Sequence, residues 1–332
     1  MGDVLRTTPL LTALKNRYPG CHITWIVDSS CAEVLENNPL IDRLLTYSEE
    51  SLIFLNTQKF DMAVNLDKDK EALGSIALVH ADKKMGFGKT EEGALCALDA
   101  SSDYAYRLGL DDDLKFKKNQ KTYQEISFEQ AGLEFRGEEY IFPENPKSDT
   151  FAKNLLAGLG VSLAPKKSVV IGLNTGAGNR FAGKRLPVAT HAELAEKFYK
   201  RLGAAVLLLG GKDEIERNHR IQRLSKVPVV NTGSHSLHHF ASIVKLCDVV
   251  ISGDTTAMHI AIAVRTPVVA YFASTCAAEI EFYGRGRKII SDIACAPCYL
   301  KDCPIDEKCM KDMGSEALFS AVKTLIEQVS VS

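Results

Sequence analysis

No run of apolar residues in this chain is long enough to span a bilayer, because charges break every candidate. The start, Met1-Gly2-Asp3, has neither the basic leader nor the apolar core of a secretory signal. Charge of one sign is lacking too: 40 lysines and arginines stand against 42 aspartates and glutamates, a formal net charge of −2. No broad basic face therefore argues for nucleic acid. There are no low-complexity tracts. With 45% hydrophobic and 25% charged residues the composition is that of a soluble globular protein, and the expected compartment is the cytoplasm. Nine cysteines in that compartment are expected as thiols rather than as a disulfide framework. The 332 residues leave room for two domains of ordinary size.

Strand and helix patterns alternate along the chain. A helix is expected over 4–18 with Pro9 near its first turn, a strand over 22–27, a short helix over 31–37, a buried strand over 61–66 and a helix over 72–80. Lys83–Gly88 reads as a loop, 99–121 as a long irregular excursion, and 123–131 as a helix. A turn-rich break at 142–146 precedes a helix at 150–159 and a Pro-Lys-Lys break at 165–167. A second series then expects strands at 168–173, 205–209, 227–230, 248–251 and 267–272. Helices are expected at 188–202, 214–224, 237–247 and 255–264, and a closing helix at 314–329. Repeated βα units predict an α/β fold with two parallel sheets, in domains 1–150 and 151–332. Ligands of such sheets sit beyond the carboxyl ends of the strands.

Three strand ends of the second series carry unusual turns. The run Val249–Ile251 stops at Ser252-Gly253, and a helix is expected from Asp254-Thr255-Thr256, with Asp254 or Thr255 as N-cap. A helix opening there presents free N–H groups and a partial positive charge, which suits phosphate. After 168–173 comes a loop from Asn174 to Pro187, in which Gly176, Gly178 and Gly183 permit close backbone approach. Thr175, Lys184 and Arg185 add a hydroxyl and two cations. It is neither a P-loop nor a G-x-G-x-x-G fingerprint. The strand at 205–209 ends in Gly210-Gly211-Lys212-Asp213-Glu214, where Glu214 would grip ribose hydroxyls or simply complement a helix dipole. Each turn alone also fits an ordinary capped helix or a surface loop. Their coincidence on one sheet edge favours a nucleotide diphosphate site.

With these motifs the chain resembles the ADP-heptose:lipopolysaccharide heptosyltransferases and their wider group, glycosyltransferase family nine. The marks are Met1-Gly2-Asp3-Val4-Leu5-Arg6-Thr7-Thr8-Pro9-Leu10-Leu11, Asn174-Thr175-Gly176-Ala177 with Lys184-Arg185-Leu186-Pro187, Gly210 with Glu214, and Gly253-Asp254-Thr255 with Met258-His259. The resemblance implies two Rossmann-like domains facing each other across a cleft, the GT-B arrangement. It implies an inverting transfer that needs no metal for its chemistry, with the nucleotide sugar on the C-terminal domain and the acceptor on the N-terminal one. Matched residue by residue, Asp3 falls on the proposed general base. Thr175 and Lys184 fall on donor-phosphate contacts, Glu214 on the ribose contact, and Asp254, Thr255 and the backbone of Thr256 on the loop around diphosphate and sugar. Inversion in one displacement needs a base on the acceptor hydroxyl and stabilisation of the departing diphosphate, which Lys184 and the N–H groups at 255–256 would supply. His259, one helical turn beyond Thr255, either orients the loop or is a packed helix histidine. Relatives usually carry glycine where this chain has the β-branched Thr256.

The implied donor is ADP-heptose and the implied acceptor a lipid-linked, anionic inner-core glycan, met at the cytoplasmic face of the inner membrane. Arg6, Lys15 and Arg17 are candidates to meet it, or a solvated helix face. The same chemistry on another nucleotide sugar, a nucleotide-sugar epimerase, and a non-catalytic relative are the alternatives. Cys295-Ala-Pro-Cys298-x4-Cys303-x5-Cys309 reads either as a ligand set for structural zinc or an iron–sulfur cluster, or as a reduced, metal-free loop. Cys21, Cys31, Cys96, Cys247 and Cys276 read as small apolar residues. Asp67-Lys68-Asp69 matches a D-x-D tripeptide but reads as a polar strand end, and Asp111-Asp112-Asp113 as a solvated loop.

The resembling family begins with a β-strand ahead of Met-Gly-Asp, whereas Met1 is the first residue here. The expectation is that a central strand is missing and that coding sequence lies upstream, leaving Asp3 on a fraying end. Restoring roughly ten upstream residues should then raise both the melting temperature and the rate of transfer. No gain in either contradicts it.

Overall fold

The computed structural model describes residues 1–163, 168–177, 181 and 183–329. The expected break at 165–167 and Gly178 lie outside the described residues. The chain divides into two units: Met1, Asp3–Pro143 and Ala278–Glu281 form one, and Gly2, Glu144–Ala277 and Phe282–Ser332 the other.

In the first unit, α1 (Gly2–Thr7) and α2 (Pro9–Arg17) precede β1 (Thr24–Val27) and β2 (Arg43–Thr46), which pair in parallel. After α3 (Glu49–Thr57) come β3 (Lys59–Asn65), α4 (Lys70–Leu78), β4 (His80–Lys89) and β5 (Leu95–Ala97). β4 pairs parallel with β3 and antiparallel with β5. α5 (Asp103–Arg107) and α6 (Tyr123–Gln130) complete the unit. Its strands form separate two- and three-stranded sheets, so β1 and β3 each pair on one edge only. The expected single parallel sheet is therefore replaced by two small ones. Accordingly β1 and β3 are mostly half-buried, and the apolar packing is divided between a cluster of Leu73, Phe87, Ala105, Leu108 and Ile126 and another of Leu10, Ala13, Phe128 and Ala131.

Three expectations in this unit are corrected. The helix over 4–18 is two helices, because Pro9 has no N–H to donate and its ring clashes with a preceding carbonyl. Thr8, at the break, donates its hydroxyl to Leu5 O at 2.7 Å and accepts from Ile141 N at 2.9 Å. Lys83–Gly88 is not a loop but the middle of β4. Gly86 there has φ +89°, and a Cβ on it would lie 1.9 Å from Asn65 O, so only glycine lets the two strands approach. The excursion at 99–121 is largely helical, with a 3-10 turn at Ala100–Ser102, α5, and a π-turn at Leu114–Lys118.

The second unit is one six-stranded parallel sheet: β6 (Val170–Asn174), β7 (Ala205–Leu209), β8 (Val230–Asn231), β9 (Val249–Gly253), β10 (Val268–Phe272) and β11 (Gly286–Ile290). The order is β11-β10-β9-β6-β7-β8, every pairing parallel. Its central strands are buried along their length, as Val/Ile/Leu-rich runs covered on both faces must be. The helices are α7 (Pro146–Gly158), α8 (Val188–Leu202), α9 (Ile215–Leu224), α10 (Leu237–Lys245), α11 (Thr256–Ala263), α12 (Lys308–Lys311) and α13 (Ser315–Val329). α8 turns Leu194, Ala195 and Phe198 onto the sheet and ends at Gly203 in the left-handed region. Phe198 stacks on Phe319 of α13 with ring centroids 5.5 Å apart, beside Ile171, Leu173, Val206 and Leu208.

His191 of α8 lies in this core, almost fully buried, with Nδ1 3.1 Å from Pro187 O. Burial, and then the Arg217 guanidinium, push its imidazole down to about 4 from 6.5, against bonds to the Pro187 and Asn174 backbone. The unfolded chain binds the extra proton first, so this group's stabilisation is present above pH 6.5 and is lost as pH falls toward 4. Over that window the native protein should lose on the order of 3 kcal/mol more stability than His191→Gln, each pKa unit being worth about 1.4 kcal/mol. Urea titrations at several pH values check this, and parallel curves for the two proteins contradict it.

Candidate functional site

The second sheet changes direction between β6 and β9. From β6 the chain steps outward to β7 and β8, then returns to place β9 on the other side of β6. The segments leaving β6 and β9 diverge, and the crevice at such a switch point is where open α/β sheets bind ligands. Asn174, the last residue of β6, joins the two ends. Its side-chain amide lies 3.0 Å from Gly176 O, 3.0 Å from Ser252 Oγ and 3.2 Å from Thr255 Oγ1. Ser252 Oγ is in turn 3.0 Å from Thr255 Oγ1.

These bonds explain how α11 starts. Thr255 is its N-cap, with extended backbone, but the hydroxyl is turned toward Ser252 and Asn174 and makes no cap bond to the helix. The first-turn N–H groups, from Thr256 onward, have no intrahelical acceptor. A positive helix end is thus presented at the switch point. Lys184 is held against it: a Cβ on Gly253 would lie 2.5 Å from Lys184 O, so glycine is required for the two segments to cross. Lys184 Nζ pairs with Asp254 Oδ2 at 3.3 Å, both side chains being mostly buried. His259 Nε2 stands 3.9 Å from the other oxygen of Asp254, and its side chain is nearly buried in α11, as a packed helix histidine or a loop-orienting one would be.

Glu214 comes to the same edge. Its Oε2 accepts from Gly211 N at 2.9 Å, and a Cβ on Gly176 would lie 2.4 Å from its carboxyl carbon. Gly176, Lys184, Glu214, Asp254, Thr255, Thr256 and His259 are therefore gathered around adjacent strand ends. Thr175 is not available in the expected way. Its side chain is fully buried, 2.5 Å from Asn218 Oδ1 and 3.2 Å from Leu209 O, so it fastens the strand end to α9 rather than facing a ligand.

In the first unit Asp3 sits in the first turn of α1, with its side chain 68% exposed and 2.7 Å from the Arg6 guanidinium. Arg6 is not a surface contact. Its guanidinium carbon lies 3.5 Å from the Tyr123 ring centroid and its Nη1 3.8 Å from Glu279. Burial works against its charge, but Tyr123, Asp3 and Glu279 outweigh it and hold the guanidinium above its ordinary range. Lys15 is committed to Asp42 at 2.6 Å, and Arg17 lies over Tyr18. Asp67 accepts from Asp69 N at 3.0 Å just past β3, as a polar strand end requires, whereas Asp113 pairs with Lys117 and Lys118 at the head of the Leu114–Lys118 turn, so 111–113 is a helical start rather than the expected loop.

Among the described residues no three His, Cys, Asp or Glu side chains are gathered to hold a metal ion. Cys295, Cys298, Cys303 and Cys309 thus do not form a preassembled centre. Cys295 is exposed, Cys303 Sγ accepts from Glu307 N at 3.3 Å, and Cys309 Sγ lies 3.2 Å from where a Cβ on Gly183 would be. None of the nine cysteines is in a disulfide.

The buried hydroxyl of Thr175 yields a direct check. Thr175→Val should cost about 1–3 kcal/mol, by leaving Asn218 without its partner, while Thr175→Ser should stay near the native stability. Urea unfolding measures both, and equal stability of Thr175→Val and the native protein contradicts the assignment.

A sequence profile of Glycosyltransferase family 9 (heptosyltransferase) matches residues 55–309. Lipooligosaccharide heptosyltransferase 2 of Campylobacter jejuni is 30% identical over 164 residues, 47% of this chain and 51% of that protein, so the match spans about half the length of that relative. Lipopolysaccharide heptosyltransferase 1 of Pseudomonas aeruginosa is 23% identical over 325 residues, 91% of this chain and 84% of that protein. The solved structure of E. coli ADP-heptose LPS heptosyltransferase II superposes with a TM-score of 0.71 at 16% identity, covering 99% of this chain and 96% of that one, which shows a shared fold. With residues 55–309 under the family profile, this chain belongs to glycosyltransferase family 9, the heptosyltransferase family.

Proposed function

We propose that this protein is an inverting glycosyltransferase that moves heptose from ADP-heptose to an anionic, lipid-linked acceptor of the lipopolysaccharide or lipooligosaccharide core. The observation that carries the donor half is the switch point between β6 and β9, where Lys184 and the start of α11 converge. The names of the Campylobacter and E. coli relatives supply the sugar and the nucleotide.

The chemistry follows from the groups in each unit. In the second unit, the diphosphate takes the place of the Asp254 carboxylate beside Lys184 and accepts from the N–H groups at the start of α11, from Thr256 onward. Glu214 takes the ribose hydroxyls. As the bond from the anomeric carbon to the diphosphate oxygen breaks, Lys184 and the helix end stabilise the charge that develops on ADP. That pairing serves the role a divalent ion fills elsewhere, so the proposed chemistry is metal-independent. In the first unit Asp3, oriented by the buried Arg6, accepts the proton of the attacking acceptor hydroxyl. A single displacement inverts the anomeric centre. The acceptor is borne on lipid, so peripheral contact with the cytoplasmic face of the inner membrane is part of the proposal. No helix among the described residues is long and apolar enough to cross a membrane.

Asp3→Asn should lower the rate of transfer on the order of 10²–10⁴-fold, the usual worth of a general base, and leave ADP binding unchanged. Lys184→Ala should weaken both. Transfer is followed by acceptor-dependent release of the nucleoside diphosphate (ADP from ADP-heptose, UDP from UDP sugars) with EDTA present. Equal use of UDP sugars contradicts the donor assignment, and a rearranged sugar nucleotide without transfer identifies an epimerase instead.

A further inference from the structure

The segment that carries Lys184 is gripped on both sides by residues outside the transfer chemistry. On one side Gly183, with φ +64°, donates its N–H to Glu307 Oε1 at 3.2 Å. On the other, Leu186 O accepts from Arg217 Nη2. Glu307 and Arg217 line one cavity of about 280 Å³ behind the segment.

Neither grip is a casual contact. Glu307 follows Asp306, and both non-glycine residues sit in the left-handed region, at φ +49° and +53°. A conformation that disfavours L-residues persists only where surrounding contacts impose it. This turn aims the Glu307 carboxylate at Gly183 and its N–H at Cys303 Sγ, 3.3 Å away. The same cysteine loop touches the donor segment again through Tyr299, whose ring meets Phe181 edge-on at 5.3 Å. Tyr299 is itself fixed, because its hydroxyl accepts from Cys276 N at 3.0 Å.

Arg217 stands one helical turn beyond Glu214. Its Nε is buried with no hydrogen-bond partner. Burial, and then repulsion by Arg185, pull its pKa below the ordinary arginine range, against Tyr271 and Glu214, which raise it. Taking part of a cation out of water is costly unless it is hydrogen-bonded. What this one does hold is the backbone carbonyl two residues past Lys184.

We infer that Glu307 and Arg217 are positioning residues for Lys184, and that the cysteine loop is thereby a strut of the donor site. This rests on the reading of Lys184 as the donor-phosphate cation. The two grips fix the backbone on either side of it, so that the ammonium meets the end of α11 without reorganising when the nucleotide arrives.

The test combines ADP titration calorimetry with amide hydrogen exchange on Glu307→Ala, Arg217→Met and the conservative Glu307→Gln and Arg217→Lys. Glu307→Ala and Arg217→Met should each weaken ADP binding about tenfold, the worth of a charge-assisted bond, and speed exchange over residues 183–187. The conservative variants should recover most of the affinity, since each keeps a group able to make the bond. On a Lys184→Ala background both losses should shrink below about twofold, because residues that act through one group are not additive. Undiminished losses on that background, or unchanged exchange at 183–187, overturn the inference. Faster exchange in the variants, with no ADP binding by the native protein, upholds the two grips and overturns the donor-site reading instead.

Discussion

The side-chain amide of Asn174 is the tie on which the candidate site depends. β6 and β9 are neighbours whose following segments must part, and Asn174 holds Gly176 of its own segment while reaching Ser252 and Thr255 at the other strand end. Because Thr255 Oγ1 is engaged there, it does not cap its own helix, and the first N–H groups of α11 remain for a ligand. Glycine at 253 lets the Lys184 segment cross the strand end, and glycine at 176 lets Glu214 approach. One buried amide and two missing Cβ atoms thus set the distances among all the polar groups of the site.

Much of the second unit was legible because its physics is local. Strands covered on both faces must be continuous Val/Ile/Leu runs, and 205–209 and 188–202 fall on their observed bounds. The first unit was harder, since β4 mixes lysines with glycines and is exposed over part of its length, so it carries no apolar run to read. β2, α3, β5, β11 and α12 left too weak a pattern in three to nine residues, or lay on exposed edges. The site divides in the same way. Gly176, Lys184, Glu214, Asp254 and Thr255 announced themselves as turn chemistry at strand ends. Asn174, Ser252 and Arg217 did not, because their partners are distant in sequence, as with the 81 positions between Asn174 and Thr255. The one available signal was a polar residue ending each of two adjacent apolar strands. Thr175 shows the reverse error: a hydroxyl in a glycine-rich loop looked like a ligand contact, and it is a core fastening.

Charge is arranged so that the site is preformed but satisfied. Lys184 faces Asp254, and His259 lies near the same carboxylate. In the proposed donor complex a diphosphate would bring the competing anion, so the lysine need only exchange partners. In the first unit, Arg6 plays the matching part for Asp3: stacked on Tyr123 and flanked by Glu279, it is a fixed cation that orients an exposed carboxylate.

Binding of a nucleotide diphosphate at the ends of β6 and β9 is best tested by amide hydrogen exchange with and without ADP. Exchange should slow at residues 253–258 and 183–186, with the strands of the first unit unchanged. Protection confined to other segments, or no change anywhere at saturating ADP, would contradict it.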